Sequence, residues 1–560
     1  MNADPPSGTL PIFKMWWPNP IFRRYARSRL RPQALGTALL LTVMIAGFMF
    51  FMFRTTSRYQ GGMVTVDAER LVLVPLLVLQ AIILFFLGTG QVAAGITADA
   101  DEGTLDYQRL APLTPANKVI GYLFGLPVRE WCMFAATLPF TAWALWKGEV
   151  PAVTWMSIYG AFLSSALLYH LTGLVAGTVL KNRRWAFLVS IGVIFLLYTV
   201  IPQAAKFGLV YFKYLTLWPV VDENMMDFLP REAGGMMRFA RSLQPDVRFF
   251  GLHFSEVTFT LFSQGILILT FFVMVWRRWR RSESHLMGKA WALGLFVWMQ
   301  LQLLGNALPL IEPGLLFPTR QFRGMMSRVG GDWAPEAWEA VAMIGVYGLV
   351  NVLLLSVLTG IITPTHENQI RGLQRVRKLG WTRVPRFSDE ASSIIFVLLM
   401  AIAGTVGWGI FSQALISSHW FAGYSLKPYA WGAFALVMLG GGLCRQAVVE
   451  GWGSRRYFLM SIFLAILPLM VGGILMPIGP LSRTAAIWVA GISPLSAPAY
   501  AAVTLVQGVD LPVVIERSMP KAFWFWQVIW GLYTLWAIAA LRTAHRRKAA
   551  MVAAGNLLAG

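Results

Sequence analysis

Long apolar stretches separated by short polar segments dominate the pattern of hydrophobic and polar positions along this chain. A run of about 20 apolar residues can cross a bilayer as a helix, whereas a transmembrane β-barrel would show short alternating strands. The pattern therefore predicts an all-α polytopic membrane protein with about 12 transmembrane helices. The predicted spans lie approximately at residues 34–53, 71–95, 120–146, 153–179, 185–201, 254–276, 290–311, 340–362, 392–416, 429–444, 457–477 and 523–541.

The predicted spans form two pseudo-symmetric six-helix halves, each with a long polar segment between its fifth and sixth spans, at about 202–253 and 478–522. A weak repeat accompanies them, because Ile96-Thr97 and Gln108-Arg109 align without gaps with the same residue pairs at 362–363 and 374–375. Both copies follow the second span of their half, which favours a duplication that keeps the same topology. The predicted divisions are a basic amphipathic N-terminal segment (1–33), a first six-span half (34–281), a second six-span half (282–541) and a basic tail (542–560).

Composition agrees with a membrane protein and supplies an orientation. The chain is 57% hydrophobic and 13% charged, with a net charge of +21, whereas a soluble protein is about 25% charged. The basic residues stand in short clusters beside apolar spans, as orientation signals do, so we expect no nucleic-acid partner. With the N-terminus inside, 29 Lys and Arg fall in the inside segments and 17 in the outside segments. Both termini are therefore predicted to be cytoplasmic.

One polar loop departs from this basic habit. Between the second and third spans it carries four acidic residues against two basic ones, and the topology places it in the cytoplasm. The run Glu102-Gly103-Thr104-Leu105-Asp106, followed by Pro112 and Gly121, resembles the cytoplasmic loop of ATP-binding-cassette (ABC) type-2 permeases. That family places Gly-Thr-Leu between two acidic residues, a Pro nine residues after the Gly, and another Gly nine residues after the Pro. The basic segment from Asn19 to Arg31 is similar to the one that precedes the family's first span.

The resemblance implies a permease subunit of an ATP-driven exporter, with two six-span halves fused in one chain, in the plasma (inner) membrane of a prokaryote. It also implies that the loop forms a coupling helix on a separate ATPase subunit. The alternative is an ordinary solvated loop. Thr97, Asp99 or Asp101 is a candidate cap for the start of that helix. The residues Gln108, Arg109 and Tyr122 depart from the family pattern. The candidate coupling residues are Asp101, Glu102, Gly103, Thr104, Leu105, Tyr107 and Pro112.

The corresponding loop of the second half is strongly basic. Asn368-Gln369-Ile370 replaces Glu102-Gly103-Thr104, and the candidate contacts there are Glu367, Arg371 and Arg375. This difference predicts asymmetric coupling, with the stronger contact in the first half, although the basic residues also satisfy the positive-inside rule.

The sequence lacks a Gly-x4-Gly-Lys-Ser/Thr phosphate loop and any credible catalytic or metal-binding motif. We therefore expect no enzyme site and no bound cofactor, with ATP and Mg²⁺ held by separate ABC ATPase subunits, two copies in all. The remaining expected partners are the lipid bilayer and accessory subunits.

Polar residues inside the predicted spans are candidates for function, because charges are costly within a bilayer. Arg129-Glu130 is either a gating pair or an interfacial pair that precedes a shorter span from Trp131 to Trp146. His170 suits an interhelical hydrogen bond or a proton-linked role, and the amides in the second half suit helix packing or a polar path between the halves. The candidate intramembrane polar sites are Arg129, Glu130, His170, Gln300, Asn306 and Asn351.

Two other classes of function remain open. A twelve-span secondary transporter predicts intramembrane carboxylates for ion coupling, and these spans are almost free of Asp and Glu. A membrane scaffold or assembly factor would carry no transport at all. Copurification of an ATPase, followed by transport in liposomes, separates the three.

Overall fold

The computed structural model of the chain describes residues 19–59, 64–228, 247–281, 283–319, 334–452 and 454–553, and most of them are helical. The helices are α1 (Pro20–Arg29), α2 (Pro32–Tyr59), α3 (Thr65–Asp101), α4 (Thr104–Leu110), α5 (Pro115–Gly125), α6 (Val128–Lys147), α7 (Ala152–Val179), α8 (Arg183–Thr199), α9 (Trp218–Phe228), α10 (Glu256–Arg280), α11 (Lys289–Ile311), α12 (Ala337–Ile362), α13 (His366–Leu379), α14 (Ile394–Ile416), α15 (Ala430–Trp452), α16 (Ser454–Leu475), α17 (Pro480–Ala490), α18 (Ala497–Leu505) and α19 (Val513–Ala553). Shorter pieces are one α-helical turn (Ile201–Ala205), two 3₁₀ turns (Val210–Leu215 and His419–Phe421) and four strands, β1 (Val247–Phe249), β2 (Leu252–Phe254), β3 (Ser425–Leu426) and β4 (Val506–Gln507).

Among the described residues, ten helices are both long and apolar enough to cross a membrane. The chain is therefore an all-α polytopic integral membrane protein, as the apolar pattern predicted. Helices α6 and α16 also coincide with predicted spans but lie outside that set of ten. The count of 12 and the division into six-span halves stay predictions.

The third predicted span, 120–146, is wrong as a single helix. The chain forms α5 and α6 instead, with a break at Leu126 and Pro127. Proline has no N–H to donate to the preceding turn, and its ring disfavours a continued helix. The break places Arg129 and Glu130 in the first turn of α6.

Helix α3 contains an irregular stretch, because Ile82–Gly88 is π-helical. The His170 imidazole of α7 lies against this stretch, with its Nε2 3.0 Å from the Leu84 carbonyl oxygen. A Cβ on Gly88 would lie 2.6 Å from that same Nε2, so only glycine lets the ring approach. A wide turn of this kind presents its carbonyls differently from an α-helix, which fits this side-chain contact.

The chain divides into two compact units. The first comprises residues Met1–Gln203, Phe212–Val247 and Leu252–Glu283, and the second comprises Ala204–Tyr211, Arg248–Gly251 and Ser284–Gly560. In the first, Phe85 packs against Phe162 of α7 with ring centroids 4.6 Å apart. In the second, Trp408 stacks on Phe434 at 4.2 Å.

Within each unit, the helices at the predicted spans share several contacts, but the second span also packs on the fifth in the first unit, and the third packs on the fourth in the second unit. The first span helix contacts the second and third, the second contacts the third and fourth, and the fourth contacts the fifth and sixth. The helix between the fifth and sixth spans, α9 in one unit and α18 in the other, contacts the second, fourth and sixth span helices of its own unit. These segments, predicted only as long polar stretches, thus contain helices that pack on the spans.

Candidate docking loop

The acidic loop forms a short helix, α4, that begins abruptly after the end of α3. Gly103 sits at φ 71°, in the left-handed region, where a side chain other than glycine would be strained. This turn lets the chain reverse direction within two residues of Asp101. On α4 the Tyr107 side chain is 78% exposed and that of Leu110 84% exposed, which leaves two large apolar groups facing outward.

The side of α4 opposite Tyr107 and Leu110 packs against other helices of the first unit. Leu105 and Leu113 are partly buried and pack on a hydrophobic cluster that includes Ile96 and Trp279. The Lys118 ammonium donates to the Arg109 carbonyl oxygen at 2.9 Å, which satisfies an acceptor in the last turn of the helix. Burial lowers the pKa of Lys118. The exposed residues Tyr107 and Leu110 therefore lie on a helix whose opposite side is packed against its neighbours.

The predicted side-chain caps of this helix are wrong. The residue before α4 is Gly103, which offers no side chain. Thr97, Asp99 and Asp101 all belong to α3, because that helix runs on past the predicted end of its span at 95. Thr97 is fully buried and donates to the Ala93 and Gly177 carbonyl oxygens at 2.9 and 3.1 Å. Its hydroxyl joins α3 to α7 instead.

Asp99 is buried at the centre of a polar cluster beneath the loop. Its carboxylate accepts hydrogen bonds from the hydroxyls of Tyr25 and Tyr122, the latter at 2.7 Å. The Arg24 guanidinium adds two contacts at 3.3 and 3.4 Å. The Tyr122 hydroxyl also contacts the Gln108 side-chain oxygen on α4. We call Arg24, Tyr25, Asp99, Gln108 and Tyr122 the Asp99 cluster.

The Asp99 cluster joins four helices, α1, α3, α4 and α5. Burial and the neighbouring Asp99 carboxylate both raise the pKa of Tyr25, so its phenol stays neutral and remains a donor. A buried carboxylate is stable only with such donors around it. The loop is thereby fastened to the N-terminal helix and to the end of a long span helix.

Helix α1 can approach α5 because of two glycines spaced four residues apart. A Cβ on Gly121 would lie 2.8 Å from the Asn19 side-chain oxygen and 2.9 Å from the Ile21 Cβ. A Cβ on Gly125 would lie 3.2 Å from the Tyr25 ring. Asn19 also caps α1 by accepting from the backbone N–H of Ile21 at 3.0 Å.

Three members of this arrangement were missed by the sequence analysis: Arg24, Tyr25 and the cap Asn19. The sequence did contain a signal for the cap, since Asn19-Pro20 is a strong helix start. Tyr122 appeared only as a departure from the family pattern. Its role follows from its position over Asp99.

The second-half loop forms a longer helix, α13, capped by Thr365 and ended by Gly380 at φ 65°. Arg375 makes an ion pair with Glu390 at 2.7 Å, and Arg371 lies 4.0 Å from Glu367. Gly372 lies under Glu390, because a Cβ there would be 2.7 Å from the Glu390 Cβ. The two arginines thus bond within their own unit, and Glu367 remains exposed.

The polar residues predicted within the spans do not form one cluster. Arg129 contacts Glu130 Oε1 at 2.8 Å, while the buried Oε2 of Glu130 has no hydrogen-bond partner among the described residues. Gln300 donates to Asn351 at 2.6 Å. Asn306 bonds within its own helix, to the Gln302 carbonyl oxygen at 2.8 Å, so it does not join that pair.

Comparison with family models, with curated proteins and with solved structures gives no match for this chain. The ABC type-2 resemblance thus rests on the loop residues and on the predicted topology alone. Within the described ranges, no group of three or more His, Cys, Asp or Glu is arranged to hold a metal ion.

Proposed function

We propose that this protein is the permease subunit of an ATP-driven ABC exporter, and that α4 is the contact through which a separate ATPase subunit moves it. The observation that carries the proposal is the pair of exposed apolar residues, Tyr107 and Leu110, on a short helix with a firmly held inner side. A docking contact needs exposed anchor residues, and transmission of force needs a rigid connection to the membrane helices.

The connection in question is the Asp99 cluster. A force on α4 reaches Gln108 and Tyr122 and passes to Asp99 at the end of α3. It reaches α1 through Tyr25. Because α3 runs from Thr65 to Asp101 without leaving the helix, displacement of its end tilts the whole span. The proposal places both termini in the cytoplasm of a prokaryotic cell.

The repeated helix contacts of the two units support the proposed two-half permease. Several pairs of neighbouring span helices recur in both units, together with a packed helix between the fifth and sixth spans, as two copies of one half would give. In this proposal the second half docks another ATPase copy through α13, whose Arg371 and Arg375 are close to or paired with acidic neighbours. We therefore propose a stronger contact at α4 than at α13.

The test is copurification of the tagged full-length chain from membranes of its own host, with ATP hydrolysis and P-loop proteins measured in the eluate. Tyr107→Ala with Leu110→Ala should reduce the bound ATPase at least about tenfold, since two interface anchors each contribute about 1–2 kcal/mol. The matched control is Tyr59→Ala with Leu252→Ala, which removes the same residue types at sites 85% and 60% exposed.

The proposal is wrong if the wild-type chain brings down no P-loop ATPase, or if the α4 variant retains as much as the control. Transport that follows an ion gradient and persists without any ATPase would favour the secondary transporter. That alternative would depend on the buried Oε2 of Glu130, which has no hydrogen-bond partner in the part of the chain that the structure describes.

A further inference from the structure

A cavity of about 480 Å³ opens in the second unit where α13, the following loop, the start of α14 and the last part of α19 meet. Its volume lies within the range of small-molecule sites. Its lining includes the apolar residues Leu373, Val384, Ile395 and Phe396. It also includes the polar residues Gln369, Arg386 and His545.

The polar residues of the cavity lining offer donors for a negatively charged group. Arg386 and His545 are exposed, and no hydrogen bond or ion pair joins either to another described residue. Gln369 is only 2% exposed, and its side-chain oxygen accepts from the Lys548 ammonium at 2.9 Å. Its Nε2 has no hydrogen-bond partner among the described residues, but that atom is itself buried, so the donors that face the cavity are those of Arg386 and His545.

The one carboxylate that lines the cavity is already neutralised. Glu390 pairs with Arg375 at 2.7 Å and accepts from the Ser388 hydroxyl at 3.3 Å. Arg386 therefore remains as uncompensated positive charge in a cavity that also has apolar lining residues. This combination fits an amphiphile with an anionic head better than it fits a cation or a fully polar solute.

The position of the cavity identifies the source of that amphiphile. Ile394 and Ile395 open the candidate span Ile394–Ile416 and are 41% and 49% exposed. The apolar part of the lining thus includes the first turn of a candidate membrane span, while Arg386 precedes that span. In a bilayer, this is the level where headgroups give way to acyl chains.

We propose that this cavity binds an anionic phospholipid of the surrounding bilayer. Arg386 and His545 take the phosphate-bearing head, and one acyl chain leaves along Ile394 and Ile395. Basic pockets between membrane helices bind acidic lipid headgroups by this chemistry. The proposal does not depend on ATP-driven transport.

The experiment is native mass spectrometry of the delipidated full-length protein titrated with phosphatidylglycerol and, separately, with phosphatidylcholine. Arg386→Gln should weaken phosphatidylglycerol binding about fivefold, because each basic group near a headgroup contributes about 1 kcal/mol. Adding His545→Gln should weaken it further. Arg383→Gln is the matched control, since Arg383 is exposed on the same loop and does not line the cavity.

Thermal unfolding of each lipid-free variant checks its fold, and all three substitutions are at exposed positions. Equal losses in Arg386→Gln and Arg383→Gln, or equal binding of both lipids by the wild type, would overturn the proposal. A third arm uses inorganic phosphate as competitor. Displacement of phosphatidylglycerol by millimolar phosphate would show a soluble-anion site and overturn the lipid assignment.

Discussion

At the scale of single residues, Asp99 shows how one buried charge organises the loop. Its sequence context made it one of several acidic residues in a polar segment, yet it is 4% exposed whereas Asp101, two residues later, is exposed. The helix period turns the two side chains to different sides, so only Asp99 meets Tyr25 and Tyr122. Asp99 therefore holds the buried cluster together, whereas Asp101 lies on the surface.

Replacement of Asp99 by Ala should destabilise the protein by about 2–3 kcal/mol, because two buried hydroxyls lose a charged acceptor. Arg24 contributes little to that sum, since its side chain is 43% exposed. The measurement is the thermal unfolding of purified protein in detergent, together with the rate of tryptic cleavage at Arg27 and Arg29. Asp101→Ala is the control and should leave both unchanged. An equally stable Asp99→Ala variant, with α1 still protected from trypsin, would contradict the role of the cluster.

At the scale of helices, buried amides tie the second unit together. Gln300 of α11 donates to Asn351 of α12, which donates in turn to the Gly404 carbonyl oxygen of α14 at 3.1 Å. The Tyr347 hydroxyl adds a bond to the Gln300 oxygen at 3.0 Å. All four polar groups of the two amides are therefore satisfied. This arrangement fits interhelical hydrogen bonding better than a polar path.

A double-mutant cycle tests this reading. Gln300→Leu and Asn351→Leu should each destabilise the protein, and their coupling energy should be about 1 kcal/mol, within the range measured for hydrogen bonds between membrane helices. Resistance to SDS unfolding is the measurement. Gln413→Leu, at an exposed position of α14, should cost nothing. Full additivity of the two substitutions would mean that the bond carries no stability.

At the scale of the whole molecule, the two units repeat one arrangement of neighbours with different details. The first unit carries a short acidic loop helix joined to α1, and the second carries the 14-residue α13, which bonds to residues near the C-terminus. Lys548 and Val552 of α19 supply those bonds, to Gln369 and Arg377. The two loop helices therefore bond to different partners, each within its own unit.

The predicted topology can be checked by cysteine labelling with a membrane-impermeant maleimide. Tyr59→Cys should react in intact cells, while Tyr107→Cys and Leu379→Cys should react only after permeabilisation, since an even number of predicted spans separates the last two. All three positions are exposed, and the native Cys132 and Cys444 are first replaced by alanine. Labelling of residues 107 and 379 from opposite sides would disprove the two equal halves.

The sequence by itself determined which segments are helical and apolar, because hydrophobicity and length act locally and a bilayer leaves a helix few alternatives. It also located the polar segment that contains α4, although it missed the turn at Gly103 and placed the helix start too early. Only the tertiary structure decided that Asp99 meets Tyr25, 74 residues away, and Tyr122, 23 residues away. It also decided that Gln369 and Arg386 share a cavity with His545. Such contacts depend on which helices pack together, and nothing in the local pattern of one segment specifies its distant neighbour.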